Sequence, residues 1–203
     1  MSKLGDLWAG PWGLAYNERN RRVDRVPKVL QVASETGTRR VLEVGCGTGH
    51  NVSHITPSGS PVHAVCGVDV NAGALAELRE RAPWVVGVLA DAADPRGLPF
   101  PDGSWDLVCS VGFLIHVAPA DINRVVGELY RVTKPGGHLL VAEYEAPEET
   151  VVPNYHGQDA ALWKRPWGEV VGTWRPSLNL VWVETWGKNL GWDNVCARLW
   201  RKG

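Results

Sequence analysis

The stretch that most constrains this chain is 40–49, where Arg40-Val41-Leu42-Glu43-Val44 runs into Gly45-Cys46-Gly47-Thr48-Gly49. A short run rich in aliphatic and β-branched side chains reads as a buried strand. Alternate glycines directly after it read as a turn through backbone conformations that glycine reaches cheaply. A second run of the same kind, Val65-Cys66-Gly67-Val68, ends in Asp69. A strand, an open turn, a helix and a second strand closing on a carboxylate make half of a nucleoside-binding α/β unit, in which the acid receives the ribose hydroxyls. Helix capping is the competing use for Asp69, but Asn71 already suits the start of a helix over 72–81.

Glycine spacing narrows the nucleoside. A dinucleotide fingerprint carries glycine at its first, third and sixth positions, because a helix N-terminus must there receive a pyrophosphate. Here the sixth position is His50, whose ring would crowd a diphosphate. With Glu43 two residues ahead, acid-x-Gly-x-Gly-x-Gly resembles the cofactor loop of the class I S-adenosylmethionine-dependent methyltransferases, whose ligand has no phosphate. Later motifs resemble the same family in the same order. Val85-Val86-Gly87-Val88-Leu89-Ala90 ends in Asp91-Ala92, the turn Leu98-Pro99-Phe100-Pro101-Asp102-Gly103 leads to a fourth strand, and Lys134-Pro135-Gly136-Gly137 launches a fifth through 138–144. The resemblance implies a Rossmann-like α/β fold, a seven-stranded, mostly parallel sheet with helices on both faces and an antiparallel last strand. It also implies S-adenosyl-L-methionine as cofactor and S-adenosyl-L-homocysteine as product. The cofactor contacts it implies come from Tyr16, Glu43, Gly45, Cys46, Gly47, Gly49, Asn51, Asp69, Val70, Asp91, Ala92 and Ser110.

Periodicity points to the same architecture. Strand and helix patterns alternate to about residue 145, as in a parallel sheet covered on both faces. Within 121–132, Ile122, Val125, Val126, Leu129 and Val132 fall on one stripe, and Pro119 suits an early helical position. Two further β patterns, 178–184 and 194–200, supply the last strands. The expected organisation is one domain over 1–203: a lid and helical segment to residue 36, a cofactor-binding core over 37–145, a substrate-facing insertion over 146–177 and C-terminal strands over 178–203.

Composition excludes several classes of function. At 203 residues, 44% hydrophobic and 21% charged, the chain suits a soluble globular protein with a full core. Its 21 basic and 22 acidic residues create no field for a polyanion, so a nucleic-acid partner is not expected. No segment resembles a signal peptide and no run approaches the ~20 apolar residues of a membrane span, so a cytoplasmic protein without a membrane role is expected. Cys46, Cys66, Cys109 and Cys196 lack metal or redox spacing and the histidines lack ligand spacing, so no metal is expected. A monomer or homodimer is expected.

The flanks speak to the acceptor. Trp8, Gly13, Tyr16, Arg19 and Asn20 make a polar and aromatic stretch that looks like a lid. Together with Phe113-Leu114-Ile115-His116-Val117, Ala142-Glu143-Tyr144, Tyr155-His156-Gly157 and Leu162-Trp163-Lys164-Arg165-Pro166-Trp167, it resembles the methyltransferases associated with pseudaminic acid biosynthesis. That resemblance implies acceptor contacts from Arg19, Asn20, Tyr155, His156, Lys164 and Arg165. Two adjacent cations suit a carboxylate or phosphate, and a solvated basic pair on a helix edge is the alternative. Methyl transfer from a sulfonium asks mostly for in-line positioning, with a base needed only for a hydroxyl or protonated amine. His116, just past the fourth strand, and Tyr144, ending the fifth, are the candidate catalytic residues. A hydrogen-bonded structural histidine is the alternative for His116. Seven of the 11 tryptophans lie beyond residue 160, where packing of the last strands accounts for them better than a stacking wall.

The function expected is methyl transfer to a small polar acceptor, with sugars, nucleotide-linked sugars and natural-product intermediates as candidates. A non-catalytic cofactor-binding protein, an RNA methyltransferase and an NAD-dependent dehydrogenase are the alternatives.

Overall fold

Residue alternation in the first strand shows how the layers arise. In β1 (Arg40–Val44), Leu42 and Val44 join one buried cluster while Val41 joins the other, as the two-residue period of a strand requires. The computed structural model describes residues 3–20, 28–56, 61–154, 161–172, 177–187 and 195–203. Around β1 lie β2 (Ala64–Asp69), β3 (Val85–Leu89), β4 (Trp105–Val111), β5 (Thr133–Glu143), β8 (Leu178–Trp186) and β9 (Val195–Lys202), in the order β3-β2-β1-β4-β5-β9-β8. Strands β1 to β5 pair in parallel, whereas β9 runs antiparallel to both β5 and β8. This is the seven-stranded sheet with an antiparallel last strand that the resemblance implied.

Helices cover both faces. One cluster packs Val125, Val126, Leu129 and Val132 of α5 (Ile122–Val132) and Trp167 and Val171 of α6 (Trp167–Gly172) against Leu42, Val108 and Leu139. The other packs Val29 and Val32 of α3 (Lys28–Glu35) and Leu78 of α4 (Ala72–Arg81) against Val41, Leu107 and Leu140. The α5 stripe is buried as predicted, while Pro119 lies in the turn before the helix. Asn71 caps α4, its Oδ1 accepting from the Ala74 amide at 2.9 Å. Two more helices, α1 (Lys3–Ala9) and α2 (Pro11–Asn20), precede the sheet, and β6 (Thr150–Val152) and β7 (Leu162–Lys164) pair as a separate ribbon.

The helix expected after the glycine turn is a correction. Among the described residues that crossover holds only a 3₁₀ turn, Val52–His54. No long helix therefore offers its N-terminus to a pyrophosphate here. The strand order reverses between β1 and β4, which places a crevice above their C-terminal ends. No helix among the described residues is long and apolar enough to cross a membrane.

Candidate active site

The turn after β1 is built from left-handed glycines, with φ of 76° at Gly45, 52° at Gly47 and 80° at Gly49. Their surroundings divide the work. A Cβ on Gly45 would strike the Phe113 ring and one on Gly49 would strike Leu78, so these two admit packing neighbours. A Cβ on Gly47 would meet nothing within 4 Å, so the turn opens to space at that residue. Asp69, at the end of β2, accepts the Gly47 amide at 2.8 Å and the Asn71 amide at 2.9 Å. Burial raises its carboxyl above the ordinary range against the pull of those amides. Cys46 points inward, and burial pushes its thiol far above the usual range, which makes it packing and not a nucleophile.

Two of the expected cofactor residues face the protein. Glu43 is fully buried and accepts from Asn51 Nδ2 at 2.5 Å, so the pair braces the turn from below. Ser110 is also fully buried, with its hydroxyl 3.3 Å from Glu143 Oε1. The expectation that Ser110 contacts the cofactor is corrected, because its side chain is enclosed by the end of the sheet. Asp91 turns an oxygen onto the Ala93 amide at 2.9 Å, shaping the loop after β3, with Ala92 buried beneath it. Val70 is half-buried beside Asp69.

His116 ends the 3₁₀ turn Leu114–His116 that follows β4 and is 8% exposed. Trp8 of α1 covers it edge-on, with ring centroids 4.6 Å apart. Trp8 also packs edge-on against Trp12 at 4.5 Å and Tyr16 at 5.1 Å, and its carbonyl accepts from Asn71 Nδ2 at 2.8 Å. The N-terminal helices thus reach from Asn71, near Asp69, to His116. Glu143, at the end of β5, accepts the amides of Phe113 at 2.9 Å and Leu114 at 2.7 Å through Oε1. Its carboxyl is 0% exposed, and burial pushes it up to about 8.

Residues 41–137 match the methyltransferase domain family model. That stretch, just under half of the chain, is the part that resembles a methyltransferase domain. A demethylmenaquinone methyltransferase of Beutenbergia cavernae is 38% identical over 108 residues, covering 53% of this chain and 42% of the relative. One from Thermus thermophilus is 35% identical over 122 residues, 59% of this chain and 54% of the relative. The chain spans about half the length of the curated relatives it matches. The Burkholderia thailandensis 1,6-didemethyltoxoflavin-N1-methyltransferase, solved with its substrate and S-adenosylhomocysteine bound, superposes with a TM-score of 0.73 at 16% identity, covering 94% of this chain and 85% of that one.

The matched stretch fits the cofactor of such a domain on an observation of its own. The open space above Gly47, beside a carboxylate that already holds the turn, would admit an adenosyl group that the closed faces of Gly45 and Gly49 would not. Gly47 and Asp69 are the residues that border this space. Of the acceptor residues expected from sequence, Lys164 and Arg165 have described side chains. Tyr155 and His156 lie outside the described residues, as do the side chains of Arg19 and Asn20 at the end of α2. Lys164 is half-buried on β7, with Nζ 6.0 Å from the centre of the Tyr144 ring. Arg165 is 1% exposed, and its guanidinium donates to Glu149 at 2.6 Å, to the Leu114 carbonyl at 3.2 Å and to the Val117 carbonyl at 2.9 Å. Each nitrogen of the fork thus has a partner inside the protein. Tyr144 accepts from Trp167 Nε1 through its carbonyl at 2.9 Å, which ties β5 to α6.

Sequence reasoning missed Glu143 as a site residue. The signal was present: an acid directly after the apolar run Leu139-Leu140-Val141-Ala142, the same signature that marks Asp69. Among the described residues no group of three or more His, Cys, Asp or Glu is arranged to hold a metal ion.

Proposed function

We propose that this chain transfers a methyl group from S-adenosyl-L-methionine to a ring-bearing small molecule. One observation carries the cofactor reading: at the switch point of the sheet the glycine turn opens to space at Gly47 alone, with the Asp69 carboxylate on the amide of that residue. The cofactor supplies an activated sulfonium methyl group, which reduces the demand on the protein to alignment and proton handling. Asp69 accepts the ribose hydroxyls in this reading, and Asp91 and Tyr16 border the adenosyl group. His116 takes the proton of a hydroxyl or protonated-amine acceptor, and holding the acceptor in line contributes about 7–11 kcal/mol of the barrier reduction. Tyr144 and Lys164 stand at the acceptor side, and the lid helices exclude water from it.

The acceptor class rests on the lid. Trp8 packs on His116 and is itself packed by Trp12 and Tyr16, an aromatic cluster that favours a planar acceptor packed edge-on or stacked. The relatives named for demethylmenaquinone and didemethyltoxoflavin carry planar rings on their acceptors. The acidic-sugar acceptor of the pseudaminic acid-associated subgroup is the second reading, and among the described side chains it rests on Lys164, since each nitrogen of the Arg165 fork has a partner inside the protein.

Titration calorimetry with S-adenosylhomocysteine and with NAD tests the cofactor assignment, the expected result being micromolar affinity for the first and no heat with the second. Methyl uptake across a panel of hydroxyquinols, nitrogen heteroaromatics and acidic sugars, followed by mass spectrometry, tests the acceptor. Binding of S-adenosylhomocysteine without uptake by any ring compound, and with uptake by sugars, would overturn the ring assignment.

A further inference from the structure

The loop 113–117 that carries His116 is too short and too apolar to hold itself. A 3₁₀ turn of three residues leaves its first amides and last carbonyls without partners of its own, and the side chains Phe113, Leu114, Ile115 and Val117 offer no hydrogen bond. The two ends of the loop are met from two other elements, by the Glu143 carboxyl and the Arg165 guanidinium. Glu143 Oε1, on β5, takes the amides of Phe113 and Leu114 at the start. Arg165, just past β7, gives one terminal nitrogen to the Leu114 carbonyl, which also accepts the Val117 amide of the turn at 3.0 Å, and the other to the Val117 carbonyl at the end. Its Nε pairs with Glu149, and the Trp163 and Trp167 rings lie 5.7 and 5.5 Å from its central carbon.

We propose that Arg165 and Glu143 position His116, acting as a clamp on the two ends of its loop. A guanidinium is costly to bury unless each donor is matched, and a planar fork can meet two carbonyls three residues apart in a way that a single ammonium cannot. The clamp spends both of these groups on the backbone of the loop, and Trp8 covers the imidazole. That makes the insertion over 146–172 a contributor to the site through geometry, without touching a ligand. The role of His116 in transfer rests on the methyltransferase reading above, whereas the clamp stands on the geometry alone.

The test compares Arg165→Met, which keeps length and apolar bulk, with Arg165→Lys and with Glu149→Gln. Hydrogen exchange read by mass spectrometry is expected to be at least tenfold faster across 113–117 in Arg165→Met, intermediate in Arg165→Lys and least changed in Glu149→Gln. Exchange across 41–50 and the affinity for S-adenosylhomocysteine should stay within twofold. The imidazole signal of His116 in nitrogen-15 spectra should shift or broaden in the same order, a change that a packing role would not produce. If Arg165→Met does not fold, the lysine and Glu149→Gln variants decide between the same outcomes. Unchanged exchange and an unmoved imidazole signal would overturn the proposal, as would exchange raised equally throughout the sheet. A wild-type protein that binds no S-adenosylhomocysteine would overturn the functional reading and leave the loop pattern fully readable.

Discussion

Replacing Glu143 with glutamine changes one property and keeps the rest. The amide retains an oxygen for the Phe113 and Leu114 amides, has nearly the same volume and cannot ionise. In the folded protein burial holds the Glu143 carboxyl at about 8, against an ordinary value of 4.5. Between those values the folded state binds one more proton than the unfolded chain, so stability falls as pH rises. The contribution is fully present below about pH 4.5 and is lost by the time pH passes about 8. One proton's linkage is worth on the order of 1 kcal/mol per pH unit, which caps the whole effect at roughly 4–5 kcal/mol. Glutamine removes this slope. Urea unfolding of both proteins at pH 5, 6.5 and 8 should therefore show the variant gaining on the wild type at each step, with the same denaturant slope. A difference between the two that is flat across this range, or a wild type that gains as pH rises, would refute the reasoning. The second result would mean that the amides of Phe113 and Leu114 and the charge of Arg165 outweigh desolvation and keep the carboxyl ionised.

Asp69→Ala removes the acceptor of the Gly47 and Asn71 amides and the proposed ribose partner, and at about 1.5–3 kcal/mol for a charged hydrogen bond it should weaken S-adenosylhomocysteine binding by ten- to a hundredfold or more in calorimetry. Gly47→Val places a branched side chain in the open space at a φ of 52°, and it should abolish that binding while costing about 1–2 kcal/mol of stability in urea. Asn71→Ala loses the α4 cap, worth about 1 kcal/mol, together with the tie to Trp8, so limited proteolysis within 3–20 should accelerate beyond what the stability change explains. His116→Ala should lower methyl transfer to a hydroxyl acceptor by roughly 10²–10⁴-fold and leave S-adenosylhomocysteine affinity within threefold.

The sheet, its two helical faces and the glycine turn were legible in the sequence because each is a local pattern. Alternation in β1, the stripe of α5 and the asparagine cap of α4 follow from periodicities of two and 3.6 residues and from a side chain reaching its own backbone. Asp69 was legible for a related reason: a strand that ends in an acid places that acid at the edge where ligands bind. The helix after Gly49 was expected by analogy with the usual unit, whereas the described part of that crossover holds a 3₁₀ turn.

Which polar groups meet was decided only by the tertiary structure. Arg165 reads from sequence as half of a basic pair, yet it lies 51 and 48 residues from the carbonyls it holds. Ser110 and Glu143 are 33 residues apart, and Asn71 reaches Trp8 across 63. No short-range pattern encodes such pairings, because they depend on how the insertion and the lid helices settle against the finished sheet. Backbone periodicity tells which face a residue takes, and burial then forces the polar groups on that face to find whatever partner the completed fold brings within reach.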